Sequence, residues 1–241
     1  MHKKWIKALL ASSLVLAGCQ DEDKKETLTF GTCADYPPFE YVENGVLTGL
    51  DIDIAKELAK ELGKEVRFEN MSFGAILASL SAGKVDAAIS TITATPERAA
   101  AFDFTPPYYD ETISTLSLQS TKIASAKDLE GKRVACQMGA TTQMWLAKHV
   151  PSATLLAFDT TNQAVEAVKA RQCDAALVDT AQASAFQKVN PELTHALVGE
   201  TGSGYAIATK KGSKITKELT QAMARLKEKG VLKELVAKWI G

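Results

Sequence analysis

Residues 28–63 read LTFGTCADYPPFEYVENGVLTGLDIDIAKELAKELG. The apolar and small residues from Leu28 to Cys33 suit a buried strand. From Asp51 to Leu62, the apolar Ile54, Ala55, Leu58 and Leu62 recur at helical spacing until Gly63 stops the run. At the corner between them, Pro37 and Pro38 fix their own φ angles and press the preceding residue toward extended geometry. Tyr36 is therefore presented as a stiff aromatic wall, and Phe39 reads as an apolar staple from the turn to the helix.

The same rhythm runs outward from this stretch. Val66–Phe68 alternates like a strand, Phe73–Leu80 is helical with Gly83 as its stop, and Val85–Ile89 is a short buried strand, giving βαβαβ. Such alternation implies a parallel sheet with helices on both faces and a ligand beyond the carboxyl ends of the strands. After the turn-rich Thr105–Tyr109, an extended stretch over Thr112–Leu118 leads into a second copy. Its strands are read at Arg133–Gln137, Thr154–Phe158 and Ala175–Val178, and its helices at Thr141–His149, Ala164–Ala170 and Ala181–Val189. Gly204–Thr209 is again strand-like. Ile215–Ile240 is helical and amphipathic, broken at Gly230, and needs a partner surface that the first unit can supply. Two α/β units would thus face one another across a cleft lined by strand-end loops.

With 46% apolar and 24% charged residues the chain has ample material for a core, and 28 Lys+Arg against 29 Asp+Glu leave no broad field for nucleic acid. The first residues differ from the rest: Lys3, Lys4 and Lys7 precede a short apolar run from Ala8 to Leu16, too short to span a bilayer but suited to a secretory signal. The tetrapeptide Leu16-Ala17-Gly18-Cys19 that follows resembles the bacterial lipobox, which implies cleavage before Cys19 and lipid on its thiol. Residues 1–18 are then a signal peptide and 19–26 a polar, lipidated tether. Cys33, Cys136 and Cys173 are an odd set for an oxidising compartment, so at least one thiol stays unpaired. Cys136 and Cys173 suit small buried hydrophobes. With no CxxC and only His149 and His195 beyond the leader, no metal site and no cofactor are expected.

The chemistry gathers at strand ends. Ser90, Thr91 and Thr93 follow the third strand, and Pro96 can take the first position of a helix capped by Thr95, a corner that favours anions. Arg98, one turn in, offers a planar fork for a carboxylate or is a solvated helix residue. In the second unit, Gly139 turns the chain into a helix beginning at Thr141, whose N-terminal N–H groups suit negative charge. Asp179 ends a strand and suits either an ammonium group or the cap of the next helix. Tyr36 and Phe73 can wall the sides. The complement of these groups is an α-amino-acid zwitterion.

The motifs Tyr36-Pro-Pro-Phe39, Gly49-Leu-Asp51-Ile-Asp53-Ile-Ala55, Asp86-Ala-Ala-Ile-Ser90, Thr95-Pro-Glu-Arg98, Phe104-Thr-Pro-Pro-Tyr-Tyr109, Asp128-Leu-Glu-Gly131-Lys-Arg-Val134, Gly139-Ala-Thr-Thr142 and Asp174-Ala-Ala-Leu-Val-Asp179 run in order along the chain. Together they resemble the polar amino-acid-binding proteins of bacterial ABC importers, family 3 of the solute-binding proteins. The resemblance implies a periplasmic-binding-protein fold of type II, two α/β lobes joined by a two-strand hinge near Asp110–Ser114 and Gly202–Ile207. Residues 27–110 plus 205–241 would form the first lobe and 111–204 the second. By position, Arg98 would clamp the ligand carboxylate with Thr93 and Thr141, Asp179 and Ser90 would hold its ammonium, and Tyr36 and Phe73 would sandwich its side chain.

Gln137 stands where the family often places a contact to the distal end of the ligand, and its amide suits arginine, glutamine or another polar group, so the expected ligand is a polar or cationic L-amino acid with arginine or glutamine first. Cys33 replaces the Asp that relatives binding cationic side chains can carry, which weakens a lysine or histidine assignment. The nearby acids Asp35 and Glu40 read equally as surface residues. The implied protein is a monomeric, lipid-anchored lipoprotein of the periplasm or cell surface. It captures a free amino acid by hinge closure and hands it to a membrane permease, without catalysis and without nucleic acid. The rival readings are a sensing module for a signalling partner and a dehydratase-like enzyme on the same scaffold.

Overall fold

The computed structural model describes residues 25–241. The leader, the lipidation expected at Cys19 and most of the tether lie outside the described residues. The chain begins with β1 (Thr27–Thr32) and three short strands, β2 (Asp35–Tyr36), β3 (Glu40–Glu43) and β4 (Val46–Thr48). Next come α1 (Leu50–Glu61), β5 (Glu65–Asn70), α2 (Phe73–Ser81), β6 (Ala87–Ala88), α3 (Pro96–Ala101) and β7 (Phe102–Phe104). β1 lies parallel to β5 on one side and to β6 on the other. α1 buries Ile54, Ala55 and Leu58, the periodic face read from the sequence.

The proline corner works as a staple with a second purpose. Phe39 is fully buried among Tyr109 and Tyr205, ring centroids 5.2 and 5.4 Å away and edge-on, a burial worth about 2 kcal/mol. Gly49 enters α1 at φ 123°, where a side chain would run into the Phe39 carbonyl. β2–β4 form a separate small sheet, which the strand–helix rhythm did not anticipate. Asn44 and Gly45, at φ 51° and 78°, turn β3 back on β4.

β8 (Tyr109–Leu118) leaves the first sheet for the second, followed by β9 (Arg133–Gln137), α4 (Thr141–His149), β10 (Thr154–Phe158) and α5 (Thr161–Lys169). β11 (Ala175–Asp179), α6 (Thr180–Val189) and β12 (Leu193–Tyr205) follow, and β13 (Ala208–Lys210), α7 (Lys214–Glu228) and α8 (Val231–Trp239) close the chain. The sheet orders are β5-β1-β6-β13-β7 and β10-β9-β11-β8-β12. Neither sheet is wholly parallel, contrary to the sequence expectation. β13 runs antiparallel to β6 and β7, and β8 runs antiparallel to both β11 and β12. The reason is the double crossing: β8 carries the chain from the first sheet to the second and β12 carries it back, so the two must oppose one another.

The strand expected over Gly204–Thr209 is two pieces. β12 ends at Tyr205 in one sheet and β13 starts at Ala208 in the other. Ala206 N–H donates to the Ile92 carbonyl (2.9 Å) and Ile207 O accepts from Thr105 N (3.0 Å) at the changeover. The last helices then dock on α1, as their apolar stripe required. Leu219, Met223 and Leu226 join the core of Leu28, Leu50 and Leu58. Glu61 accepts from Arg225 Nε (2.7 Å) and Lys229 Nζ (2.6 Å), and Asp53 from Lys238 Nζ (2.7 Å) and Trp239 Nε1 (2.9 Å).

Candidate functional site in the cleft between two lobes

α3 starts as its sequence dictates: Thr95 accepts the Arg98 N–H at 3.3 Å and Pro96 takes the first helical position. This holds Arg98 at the mouth of the first lobe. Its Nη1 donates to the Thr93 carbonyl (2.9 Å) and its guanidinium lies 5.7 Å from the Phe73 ring centroid. Its Nη2 donates across the cleft to the Gly139 carbonyl (2.9 Å). Gly139 adopts φ 77° at the turn into α4, which leaves that carbonyl facing the arginine. Burial pushes the Arg98 pKa down, opposed by the nearby Glu111 and Glu97 carboxylates. A guanidinium keeps its charge regardless.

Asp179 fills the capping role that its sequence position allowed and keeps one oxygen over. One oxygen, Oδ1, caps α6 by accepting the Ala181 N–H at 2.7 Å. The other, Oδ2, is buried and has no partner in hydrogen-bond geometry. Burial raises the Asp179 carboxyl to about 6 against the pull of its backbone N–H partners. The Asp179 N–H donates across the cleft to the Tyr36 hydroxyl at 3.3 Å, so the stiff corner of the first lobe touches the second lobe's acid directly. A further crossing joins Asn162 Nδ2 to the Asp35 carbonyl at 3.4 Å.

The hydroxyls after β6 are more committed than the sequence suggested. Ser90 is fully buried, receives the Cys33 N–H (3.0 Å) and gives its own proton to Glu40 (2.8 Å). Thr91 sits at φ 47°, held there by its N–H to Asp51 Oδ2 (2.8 Å), and its hydroxyl also points to Glu40 (3.5 Å). Glu40 is therefore no surface residue: it and Asp51 are both buried, and Tyr108 OH donates to Asp51 at 2.8 Å. Two carboxyls so close in a dry interior cannot both ionise. Burial drives Glu40 well above its ordinary range and Asp51 up to about 7. Folding thus takes up a proton, so this pair's contribution to stability is present at low pH and lost as pH rises from the unfolded carboxylate value through the folded one. Glu40→Gln keeps the hydrogen bond from Ser90 and removes one titration. The melting temperature of that variant should fall less than that of the unaltered protein between pH 5 and pH 8.

Thr93 and Thr141 both give their hydroxyl protons to Glu111, Thr93 at 2.6 Å. The sequence reading did not single out this acid. Gln137 is buried, donates to the Asp159 carbonyl (3.3 Å) and receives Thr161 Oγ1 (3.5 Å). Asp35, at the start of β2, receives the Cys33 thiol at 3.2 Å on Oδ1, while its Oδ2 is sealed without a partner. The structure thus brings Tyr36, Phe73, Thr93, Arg98, Thr141 and Asp179 to one interlobe cleft, and keeps Ser90 and Thr91 bonded to acids beneath it. Among the described residues no group of three His, Cys, Asp or Glu could hold a metal ion, and no helix is long and apolar enough to cross a membrane.

Two sheets joined by two crossing strands, closing on a half-buried guanidinium and a buried carboxylate, define a hinged binding protein for a small charged ligand. Residues 28–241 match the profile of the bacterial extracellular solute-binding proteins, family 3, and the chain belongs to that family. It is 31% identical over 249 residues to the arginine-binding extracellular protein ArtP of Bacillus subtilis, covering 98% of each chain. It is 32% identical to the ABC transporter arginine-binding protein 1 of Escherichia coli, covering 99% of each. An ancestral arginine-binding protein bound to arginine superposes with a TM-score of 0.85 at 35% identity, over 90% of this chain and 100% of that one. The protein is accordingly an amino-acid-binding component of an ABC transporter, acting outside the cytoplasm by binding and not by catalysis.

Proposed function

We propose that the mature chain, tethered by lipid on Cys19, captures L-arginine between its lobes and delivers it to a membrane permease of its transporter. Residues 27–110 with 205–241 act as one lobe and 111–204 as the other. Arg98 takes the ligand carboxylate, Asp179 Oδ2 the α-ammonium, Tyr36 and Phe73 flank the side chain, and Asp35 meets its guanidinium. The observation that carries this reading is Asp179 Oδ2, sealed without a partner in a cleft whose own cation is Arg98; Asp35 Oδ2 and Glu40 Oε2 are likewise sealed without partners, and of these two Asp35 is the residue whose backbone meets the second lobe, at Asn162. A buried carboxylate oxygen without a donor costs several kcal/mol unless a cation arrives. Arginine brings two cationic ends, and glutamine, the alternative, brings one. Relatives named for arginine support the same choice.

A thermal-shift series against the twenty amino acids tests it, because a ligand raises stability with the logarithm of its saturation. Arginine should give the largest shift. Asp35→Asn should then lower arginine affinity at least tenfold while glutamine affinity changes less than threefold, by calorimetry. Equal losses for both ligands would remove Asp35 from the side-chain pocket.

A further inference from the structure

Glu111, in the first crossing strand, is 5% exposed and accepts hydroxyl protons from three different parts of the fold. Thr93 Oγ1 of the first lobe donates to Oε2 at 2.6 Å, Thr201 Oγ1 of the return strand to Oε2 at 2.8 Å, and Thr141 Oγ1 at the start of α4 to Oε1. Its charge is felt at both Arg98 and Asp179. A carboxylate with hydroxyl donors on both oxygens beside a guanidinium is what a bound α-carboxylate would look like. Two of those donors, Thr93 and Thr141, are the hydroxyls read as carboxylate ligands. Each has a single proton and can donate to one carboxylate at a time.

We propose that Glu111 is an internal competitor for the carboxylate of the ligand. It ties Thr93 to Thr141 and so links the two lobes from the hinge side. An incoming amino acid must take those protons over, leaving Glu111 to Thr201 alone. The exchange is nearly balanced, carboxylate for carboxylate, and adds the repulsion of two like charges at short range. Affinity is thereby held below what Arg98 and Asp179 would give, and release to the permease is made easier. This inference rests on the amino-acid reading of the site and concerns its regulation.

Glu111→Gln keeps the shape, removes the charge and leaves an amide oxygen that accepts more weakly. Binding is measured by calorimetry with the amino acid that the thermal series selects, arginine on the present reading, and with its carboxamide, which has no carboxylate to compete. The expected result is at least tenfold tighter binding of the amino acid and less than a threefold change for the carboxamide. An unchanged or weaker affinity for the amino acid, with the unaltered protein binding normally, overturns the proposal and leaves the amino-acid reading standing. Equal tightening for both ligands also overturns it, since the effect would then not involve the carboxylate. If neither protein binds any amino acid, both fall. Should Glu111→Gln fail to fold, Thr201→Val removes the third donor while leaving Thr93 and Thr141 in place. With no donor left to fall back on, Glu111 should hold Thr93 and Thr141 harder, so amino-acid binding should weaken about threefold or more, and no change or a gain overturns the proposal.

Discussion

Arg98→Ala should reduce arginine affinity by about three orders of magnitude. The guanidinium has five N–H donors, of which one each on Nη1 and Nη2 serve the carbonyls of Thr93 and Gly139. The remainder can meet a carboxylate as a fork. Two charge-assisted hydrogen bonds at about 2 kcal/mol each amount to about 4 kcal/mol, near a thousandfold in the dissociation constant. Arg98→Lys keeps the charge but loses the fork and should fall between the two. The empty protein should also melt a few degrees lower in the alanine variant, because the bond to Gly139 spans the lobes. A calorimetric dissociation constant within tenfold of the unaltered value would show that the carboxylate is held elsewhere.

Asp179→Asn should weaken arginine at least a hundredfold while stabilising the empty protein. Asparagine retains the oxygen that accepts the Ala181 N–H and discards the charge. The folded carboxyl, raised to about 6, binds its proton more tightly than the unfolded one. Its contribution to stability is therefore present at low pH and lost as pH rises from the unfolded value through about 6. At pH 7 the unpaired carboxylate costs the empty fold on the order of 3 kcal/mol, which the asparagine variant recovers. An arriving ammonium favours the ionised form. Below pH 6 arginine affinity of the unaltered protein should consequently fall, by at most about tenfold per pH unit, and Asp179→Asn should lack that slope. A flat profile from pH 5 to pH 8 in the unaltered protein would rule out Asp179 as the ammonium partner.

The strand–helix alternation, the docking of the last helices and the cleft positions of Tyr36, Phe73, Arg98 and Asp179 were all legible, because each depends on local periodicity or on a residue's place just beyond a strand. What was not legible is depth. Asp51 looks like an ordinary first-turn acid of α1 and Glu40 like a solvated strand residue, yet tertiary packing seals both against Ser90, Thr91 and Tyr108. Glu111 gives only a faint signal, an acid next to the β-branched run Thr112-Ile113 with nothing to show that its strand is covered on both sides. β12 escaped because Gly199, Gly202 and Gly204 interrupt its pattern and its pairing with β8 slips register twice. The small sheet could have been found: Asn44-Gly45 is a strong short hairpin signal.

The three cysteines among the described residues are all free and all buried, with Cys136 pushed up to about 12 by burial and Cys33 higher still. Such thiols are inert while their cover holds, so the protein carries built-in clocks. Cys33 packs in a core of the first sheet with Ile76, Leu80 and Val85, its thiol on Asp35, whereas Cys136 and Cys173 lie in the second sheet's cores. Alkylation of Cys33 would time the melting of the first half and alkylation of the other two the melting of the second, and the ratio of those rates would show which half gives way first without any engineered label.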